Sequence, residues 1–408
     1  MSDKPSILIL GLNYAPEAIG IGPYTTGLAE HLAAQGHRVK VIAGWPYYPE
    51  WAVKEGSGSW WESTCENSVE VIRCPHYVPS EPTRFRRLLH HASFALSSLP
   101  VMLEAAFKKP QIICAVMPSL IAAPVAWVAA RLAGAKLWLH VQDFEVDAAL
   151  ATGLATESSI IARAGHWLEK ALFGNADLVT TISPQMCARL AQKGVPIERI
   201  AEMRNWANHL DDIGRADGSK LREEWNLGGK FVALYSGNIA NKQGLEVVID
   251  AARELSETHS IAFVICGSGP NLKRLKDRSL RLTNIQFRPL QPPERFAQLM
   301  KMADCHLLPQ VAGAADLVLP SKLANMLASG RPIIATANAD TGIADEIDGC
   351  GEVVAPGDAK AFAAAIADLA GDLHSARRLG MAGKARAREH WARKAIMQTT
   401  DRLVAGLT

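Results

Sequence analysis

The sequence predicts an α/β protein built from two doubly wound domains, each around a mostly parallel sheet. Short β-branched runs alternate with helical segments in both halves of the chain. A turn-rich stretch at 205–229 interrupts this alternation near the midpoint. The length of 408 residues also suggests two or three domains, at roughly 150 residues each.

Composition and charge exclude several classes of protein. A hydrophobic fraction of 49% is enough for full cores and argues against long disorder. The 43 basic and 41 acidic residues give a net charge of +2, which disfavours a generic nucleic-acid binder. Seven cysteines without a Cys-x-x-Cys pair disfavour a disulfide framework or a zinc site. The apolar runs at 7–10 and 92–107 are too short for a signal peptide and a membrane span, so we expect a cytoplasmic protein.

The first half opens with a βαβ unit. A strand is predicted at 7–10, a helix at 24–35 that ends at Gly36, and a second strand at 39–42. This unit implies a parallel sheet. Further strands are predicted at 112–116, 136–141 and 178–182, with a helix after Ser183-Pro184.

The second half restarts the alternation after a short helix at 220–225. Strands are predicted at 231–235, 261–266, 285–287, 305–308 and 332–335, with a helix at 245–255 and a helical end from 375. Ligands of such sheets lie beyond the carboxyl ends of the strands. We therefore expect the functional residues in loops that follow strands, in a cleft where the two domains face each other.

Two segments of the first half fit this expectation. Gly20 and Gly22 let the backbone approach a phosphate or a sugar hydroxyl before a helix begins, although a plain capped loop explains them equally well. A strand delivers His140, Gln142 and Asp143 to its carboxyl end, where the carboxylate could orient a sugar or act as general base. The alternative for these acids, including Asp147, is a helix cap or a solvated loop.

Three segments of the second half suit an anion. Gly237 and Asn238 follow the first strand, with Lys242 available for phosphate charge. Gly267 and Gly269 form a common glycine turn after the next strand.

The third of these segments opens a helix near Pro320. Ser321 is a candidate N-cap, and Lys322 lies in the first turn, where the helix dipole disfavours a cation unless an anion binds there.

In this order the motifs resemble the retaining nucleotide-sugar glycosyltransferases of family 4, which have the GT-B fold. The stretch 12–25, with Gln142-Asp143-Phe144-Glu145 and Arg204-Asn205-Trp206, resembles the WcaI-type colanic acid biosynthesis glycosyltransferases more specifically. The resemblance spans nearly the whole chain.

The resemblance implies an acceptor-binding domain at 1–207, a nucleotide-sugar-binding domain at 208–385, and a terminal helix at 386–408 that packs back on the first domain. It implies a hexosyltransferase that needs no metal or other cofactor and retains the anomeric configuration. The implied donor is GDP-fucose, and the implied acceptor is a lipid-linked oligosaccharide of exopolysaccharide assembly. A basic residue and helix-end amides would stabilise the departing diphosphate.

The resemblance also implies roles for individual residues. Lys242 and Lys322 would stabilise the diphosphate, and Asp143 is the best catalytic carboxylate. The implied substrate-binding residues are Gly20, Gly22, His140, Gln142, Gly237, Asn238, Gly267, Gly269, Asp316, Ser321 and Asn325. The Glu-x7-Glu motif of the family falls on Leu317 and Asn325, so Asp316 is expected to substitute in part. The His-Asp of many members reads Gln142-Asp143, and His140 is expected to point the other way.

A local charge excess suggests a membrane contact. Residues 84–109 carry five basic residues and one acid, a local charge of +4, around an apolar run. This pattern predicts an interfacial helix on anionic lipid at the cytoplasmic face of the inner membrane; the alternative is a core helix with solvated basic ends. Trp45, Trp60 and Trp61 could line an acceptor groove, although packing is their commoner role.

Other functions remain open from the sequence. Loss of both family glutamates allows a nucleotide-sugar-binding protein without transfer activity. A nucleotide-sugar epimerase on the same fold is a third candidate. A dehydrogenase is disfavoured because the chain lacks a Gly-x-Gly-x-x-Gly fingerprint after its first strand.

Overall fold

The computed structural model describes residues 4–17, 20–53, 60–81, 83–117, 120–144, 147, 160–207, 209–258, 260–311 and 319–408. Contacts group the chain into two compact units. The first unit comprises Met1–Met203 with Met397–Thr408, and the second comprises Arg204–Ile396. The sequence placed the corresponding boundaries at 207/208 and 385/386.

The first unit contains an eight-stranded sheet in the order β3-β4-β2-β1-β5-β6-β7-β8. All neighbouring strands are parallel except β3 and β4, which form an antiparallel pair. The strands are β1 (Ser6–Gly11), β2 (Arg38–Gly44), β3 (Glu62–Glu66), β4 (Val69–Cys74), β5 (Ile112–Met117), β6 (Lys136–Val141), β7 (Leu178–Thr181) and β8 (Ile200–Glu202).

The helices of the first unit connect and flank these strands. They are α1 (Gly22–Ala34), α2 (Arg84–Phe107), α3 (Ala123–Ala133), α4 (Ile160–Asn175) and α5 (Pro184–Gln192), with a 3-10 turn at Ile197–Arg199. Ser183 caps α5 by accepting a hydrogen bond from the Met186 amide at 3.2 Å. Strands β1 and β5 are almost fully buried, as expected of a parallel sheet with helices on its faces.

The second unit contains a six-stranded, fully parallel sheet in the order β11-β10-β9-β12-β13-β14. Its strands are β9 (Phe231–Asn238), β10 (Ile261–Ser268), β11 (Ile285–Arg288), β12 (Cys305–Leu308), β13 (Ile333–Thr336) and β14 (Gly351–Val354). Strand β9, the first in sequence, lies at the centre of the order, which makes its carboxyl end the switch point where ligands of such sheets bind.

Ten helices are described in the second unit and at the chain's end. They are α6 (Leu210–Arg215), α7 (Ser219–Glu224), α8 (Glu246–Glu254), α9 (Leu272–Arg278), α10 (Pro293–Met302), α11 (Ser321–Ala328), α12 (Gly342–Ile347), α13 (Ala359–Gly371), α14 (Leu373–His390) and α15 (Arg393–Leu407), with a 3-10 turn at Asn241–Gln243.

The end of α15 belongs to the first unit. The Asp401 carboxylate lies 2.8 Å from His31 Nε2 on α1, and the Thr400 hydroxyl lies 3.3 Å from Met203 Sδ. This confirms the predicted terminal helix that packs on the first domain. The doubly wound architecture predicted for both halves is also confirmed.

Three short strands escaped the sequence analysis. Strand β3 has a polar sequence and is largely exposed at the sheet edge, so it lacks the apolar alternation that marks a strand. Strands β8 and β14 also lie at sheet edges and are only half-buried.

The apolar run at 92–107 is part of the single 24-residue helix α2, which continues through Pro100. Among the described helices none is long and apolar enough to cross a bilayer. The helix combines both sequence interpretations. Phe94 and Met102 are fully buried in the core, whereas Phe85 near the amino end is 68% exposed.

Candidate active site

Two glycine strand ends meet at the centre of the second sheet. Gly237 and Gly267 are paired in register at the ends of β9 and β10. A Cβ on Gly267 would lie 1.9 Å from the Gly237 carbonyl oxygen, and Gly237 itself has φ +142°. A Cβ on Gly269, the next turn residue, would lie 2.4 Å from the Ile239 oxygen. Packing therefore demands glycine at these positions and leaves the backbone at this edge uncovered.

Lys322 points its ammonium group at this glycine edge. The residue lies in the first turn of α11, and its Nζ lies 3.9 Å from the position a Cβ on Gly237 would occupy. Nζ also lies 4.1 Å from the centre of the Tyr235 ring. Tyr235 is held in place because its hydroxyl donates to the Asn238 carbonyl.

The electrostatics of Lys322 favour an anion. Burial lowers the pKa of its ammonium from 10.5 to about 7. No carboxylate within 4.0 Å forms an ion pair with it in the described part of the chain, although the side chain is half-buried. A helix amino end also repels a cation. An anion bound here would reverse both costs, because it supplies the missing counter-charge.

Amide oxygens without partners line the surrounding segments. Asn325 Oδ1, one turn after Lys322 on α11, is buried and has no hydrogen-bond partner among the described residues. The same holds for Gln243 Oε1 after β9 and Gln310 Oε1 after β12. Gly244, at φ +59°, brings these two segments together, because its Cβ position lies 3.2 Å from the Gln310 carbonyl carbon. Each oxygen can accept an O–H or N–H from a ligand.

Sequence reasoning overlooked Tyr235, Gln243 and Gln310 as candidate site residues. Gln243 and Tyr235 flank the predicted Gly237-Asn238 loop, so their position along the chain was a usable signal. Gln310 follows a predicted strand in the way the site residues do, but a lone Gln carries no motif.

Several predicted residues of this unit have a different standing. Ser321 is not the N-cap of α11: Pro320 occupies that position and Ser321 is the first helical residue. Lys242 lies in the 3-10 turn at Asn241–Gln243, and its side chain, like that of Ser321, is outside the described atoms. Asp316 and Leu317 lie outside the described residues. Their predicted roles stay predictions.

In the first unit, the loop after β1 is organised by Glu17. Its Oε1 accepts hydrogen bonds from the Tyr47 and Tyr48 amides at 3.0 Å each, and its Oε2 accepts from Asn13 Nδ2 at 2.8 Å. A Cβ on Gly22 would lie 2.9 Å from Glu17 Cβ. Gly20 has φ +73°, a conformation that favours glycine. These glycines therefore meet packing and backbone needs, and Glu17 joins the loops after β1 and β2.

The end of β6 carries a buried polar chain. His140 Nδ1 lies 2.9 Å from Thr180 Oγ1, and its Nε2 lies 3.2 Å from Gln142 Nε2. The expected opposite orientation of His140 is wrong, because residues two apart on a strand share a face. Burial lowers the pKa of His140 to about 3, which keeps the ring neutral. Asp143 is exposed beside this chain, as a carboxylate that handles a substrate must be.

Asp147, another acid of this segment, has a structural partnership. Its carboxylate bonds to Arg189 Nε and Lys193 Nζ at 2.9 Å each, and Lys193 also contacts Glu169 at 2.7 Å. These contacts lower the pKa of Asp147 against the opposing effect of burial. Neither a helix cap nor a solvated loop describes this residue.

The tryptophans near the end of β2 mix packing and exposure. Trp45 Nε1 donates to the Trp60 carbonyl at 3.1 Å, and Trp61 Nε1 donates to the Ser97 carbonyl on α2 at 2.9 Å. Both indoles are thus tied down. The ring of Trp60 is 73% exposed and remains available to a ligand or a surface.

Comparisons with known proteins agree with this geometry. Residues 20–206 match a "Glycosyl transferase 4-like domain" and residues 217–386 match "Glycosyl transferases group 1". The chain is 44% identical over 343 residues to the "Putative colanic acid biosynthesis glycosyl transferase WcaI" of Escherichia coli (strain K12), covering 82% of this chain and 84% of that protein.

Solved structures show the fold. Anabaena Alr3699/HepE in complex with UDP matches with a TM-score of 0.69 and 17% identity over 98% of this chain and all of that one. Sucrose-phosphate synthase of Thermosynechococcus elongatus matches with a TM-score of 0.73 and 19% identity over 99% of both chains. The two family matches and the close relative, taken with the two parallel-sheet units, show that the chain belongs to the GT-B glycosyltransferases.

Proposed function

We propose that this glycosyltransferase moves a sugar from a nucleotide-sugar donor, GDP-fucose, to a lipid-linked oligosaccharide and retains the anomeric configuration. The product would be an intermediate of a colanic-acid-like exopolysaccharide, made at the cytoplasmic face of the inner membrane. The colanic acid assignment is supported by the 44% identity to a relative named for that pathway.

The observation that carries the donor proposal is Lys322. A half-buried ammonium without an ion-pair partner in the described chain is costly unless a ligand supplies negative charge. The uncovered backbone at Gly237 and Gly267 lets a diphosphate approach. When the glycosidic bond of the donor breaks, the diphosphate leaves with extra negative charge, and Lys322 is placed to stabilise it. In this proposal the positive charge comes from the protein, and no metal is required.

The oxygens of Asn325, Gln243 and Gln310 support recognition of hydroxyl groups. Each needs a donor, and a ribose or a hexose offers several O–H groups. Asn325 occupies the position of the second family glutamate. It can bond a hydroxyl without placing a further negative charge beside the diphosphate.

The membrane part of the proposal rests on α2 and the neighbouring tryptophans. Phe85, Leu88 and Leu89 are 68%, 47% and 43% exposed beside Arg86. Trp61, bonded to the backbone of α2, extends this surface. Basic and apolar side chains at one helix end suit an anionic lipid surface.

The experiment compares the wild type with Lys322→Met, using Lys360→Met as control because Lys360 is an exposed lysine of the same unit. Thermal shifts with GDP, UDP, ADP and dTDP identify the nucleotide. Transfer is then assayed with the corresponding donors and lipid-linked saccharides, in EDTA. We expect loss of binding and transfer in Lys322→Met alone, and a product with the donor's anomeric configuration by NMR.

The outcomes separate the candidate functions. Nucleotide binding without transfer to any acceptor would support the binding protein instead. Conversion of the free donor without an acceptor would support the epimerase. Full activity of Lys322→Met would contradict the proposed diphosphate contact, and loss of activity in EDTA that Mg²⁺ or Mn²⁺ restores would contradict metal independence.

A further inference from the structure

Four buried side chains form a continuous hydrogen-bonded chain across β6 and β7. Trp138 Nε1 lies 2.8 Å from Thr180 Oγ1, which lies 2.9 Å from His140 Nδ1. The other ring nitrogen, His140 Nε2, lies 3.2 Å from the Gln142 amide. Trp138 and Thr180 are fully buried, and His140 and Gln142 are 3% and 6% exposed. Only Gln142 stands at the carboxyl end of the strand, where ligands of parallel sheets bind.

The direction of the hydrogen bonds follows from the first member. An indole N–H can only donate, so Thr180 Oγ1 accepts from Trp138. The hydroxyl proton of Thr180 then needs an acceptor, and His140 Nδ1 is the acceptor within reach among the described residues. The reverse arrangement would bury an unsatisfied O–H, at a cost of about 1–3 kcal/mol.

The proton of the imidazole therefore stands on Nε2. Because His140 is neutral, one ring nitrogen accepts and the other donates. With Nδ1 accepting from Thr180, Nε2–H donates toward Gln142. Two donors cannot bond each other, so the amide of Gln142 must offer its oxygen to His140. Its NH2 group is then turned away from the ring, toward the end of the strand.

We propose that Gln142 is a hydrogen-bond donor to an oxygen of the saccharide substrate, and that Trp138, Thr180 and His140 are positioning residues that hold its amide in this orientation. The inference rests on the proposed function for the identity of the substrate. It divides the labour at the strand end. Gln142 supplies N–H to a sugar oxygen, whereas the exposed Asp143 carboxylate can only accept from a sugar hydroxyl.

The orientation can be read directly in the full-length wild-type protein. In ¹⁵N–¹H spectra of the histidine rings, His140 should show a protonated Nε2 and an unprotonated Nδ1. The signal is assigned by its absence in His140→Asn or, if that variant does not fold, by its shift in Thr180→Ser. A protonated Nδ1 in the wild type would overturn the inference, because Gln142 would then present its oxygen.

Kinetics test the positioning role. Thr180→Val keeps the side-chain shape but removes the hydroxyl, so we expect kcat/KM for transfer to fall about tenfold. Thr180→Ser, which keeps the hydroxyl, should restore it to within about twofold. Nucleotide affinity, which depends on the second unit, should not change. Equal transfer by wild type and Thr180→Val would overturn the positioning role.

A pair of Gln142 variants tests the donor role. Gln142→Glu keeps the size but only accepts, and we expect it to transfer no better than Gln142→Met; better transfer by Gln142→Glu would overturn the donor role. Failure of the proposed function is seen separately. In that case the wild type would bind no nucleotide and transfer no sugar, while the ring spectrum would still report the orientation.

Discussion

Replacing Lys322 with Met should stabilise the protein while abolishing nucleotide binding. In the folded chain the pKa of Lys322 is lowered from 10.5 to about 7 by burial. At pH 7 and below, the folded state must therefore charge an amine that the unfolded state charges freely. At about 1.36 kcal/mol per pH unit, the difference sets an upper limit of about 5 kcal/mol. The side chain is half-exposed to screening water, which reduces the expected gain to about 1–3 kcal/mol.

The pH dependence of this gain has a definite sign. Between pH 7 and 10.5 the unfolded chain binds more protons than the folded one at this site, so wild-type stability rises with pH through that window. The advantage of Lys322→Met is therefore largest at pH 7 and below and disappears by about pH 10.5. Urea unfolding at pH 6, 7, 9 and 10 measures it, with Lys360→Met as the control that should not change.

Ligand addition completes the test. A nucleotide at about 100 Kd should stabilise the wild type by about 2.7 kcal/mol and leave Lys322→Met unchanged. A Met variant that is less stable than the wild type at pH 7, or that is stabilised equally by the nucleotide, would refute the reasoning. Either result would mean that the lysine is satisfied within the protein.

Three further predictions concern binding, packing and membranes. Nucleotide affinity in the wild type should weaken by up to about tenfold per pH unit above pH 7, because the free lysine loses its proton there; calorimetry from pH 6 to 9 checks this, and a flat profile speaks against it. Gly267→Ala should cost about 3 kcal/mol or more, because its Cβ overlaps the Gly237 oxygen, whereas Gly228→Ala meets nothing within 4 Å; chemical unfolding compares the two. Arg86→Ala should weaken binding to vesicles with anionic lipid about fivefold, at about 1 kcal/mol per basic residue; unchanged flotation would remove α2 from the membrane contact.

The central elements of the fold could be predicted from the sequence because their burial is written into it. Strand β6 was predicted with the bounds that the structure has, since an apolar run leads into polar residues. The edge strands β3 and β14 could not, because they gain their conformation from pairing with a neighbour rather than from an apolar pattern.

The candidate site was predicted in outline only. Motifs identified Lys322 and the glycine turns, but the buried oxygens of Gln243 and Gln310 become visible only when separate loops meet. The role of Glu17 was hidden for the same reason: its partners, the Tyr47 and Tyr48 amides, lie 30 residues or more away. His140 shows that even a nearby pair needs the structure, because its bond to Thr180 spans 40 residues.

The assignment of Met397–Thr408 to the first unit has a consequence for synthesis on the ribosome. Domains generally fold as they emerge, the amino-terminal one first. Here the first unit lacks its last element until the entire second unit has been made. Its final contacts, such as that between His31 and Asp401, can form only after the chain is released. The first unit to appear is therefore the last to be finished, and a fragment ending at residue 203 would need the terminal helix supplied as a separate peptide.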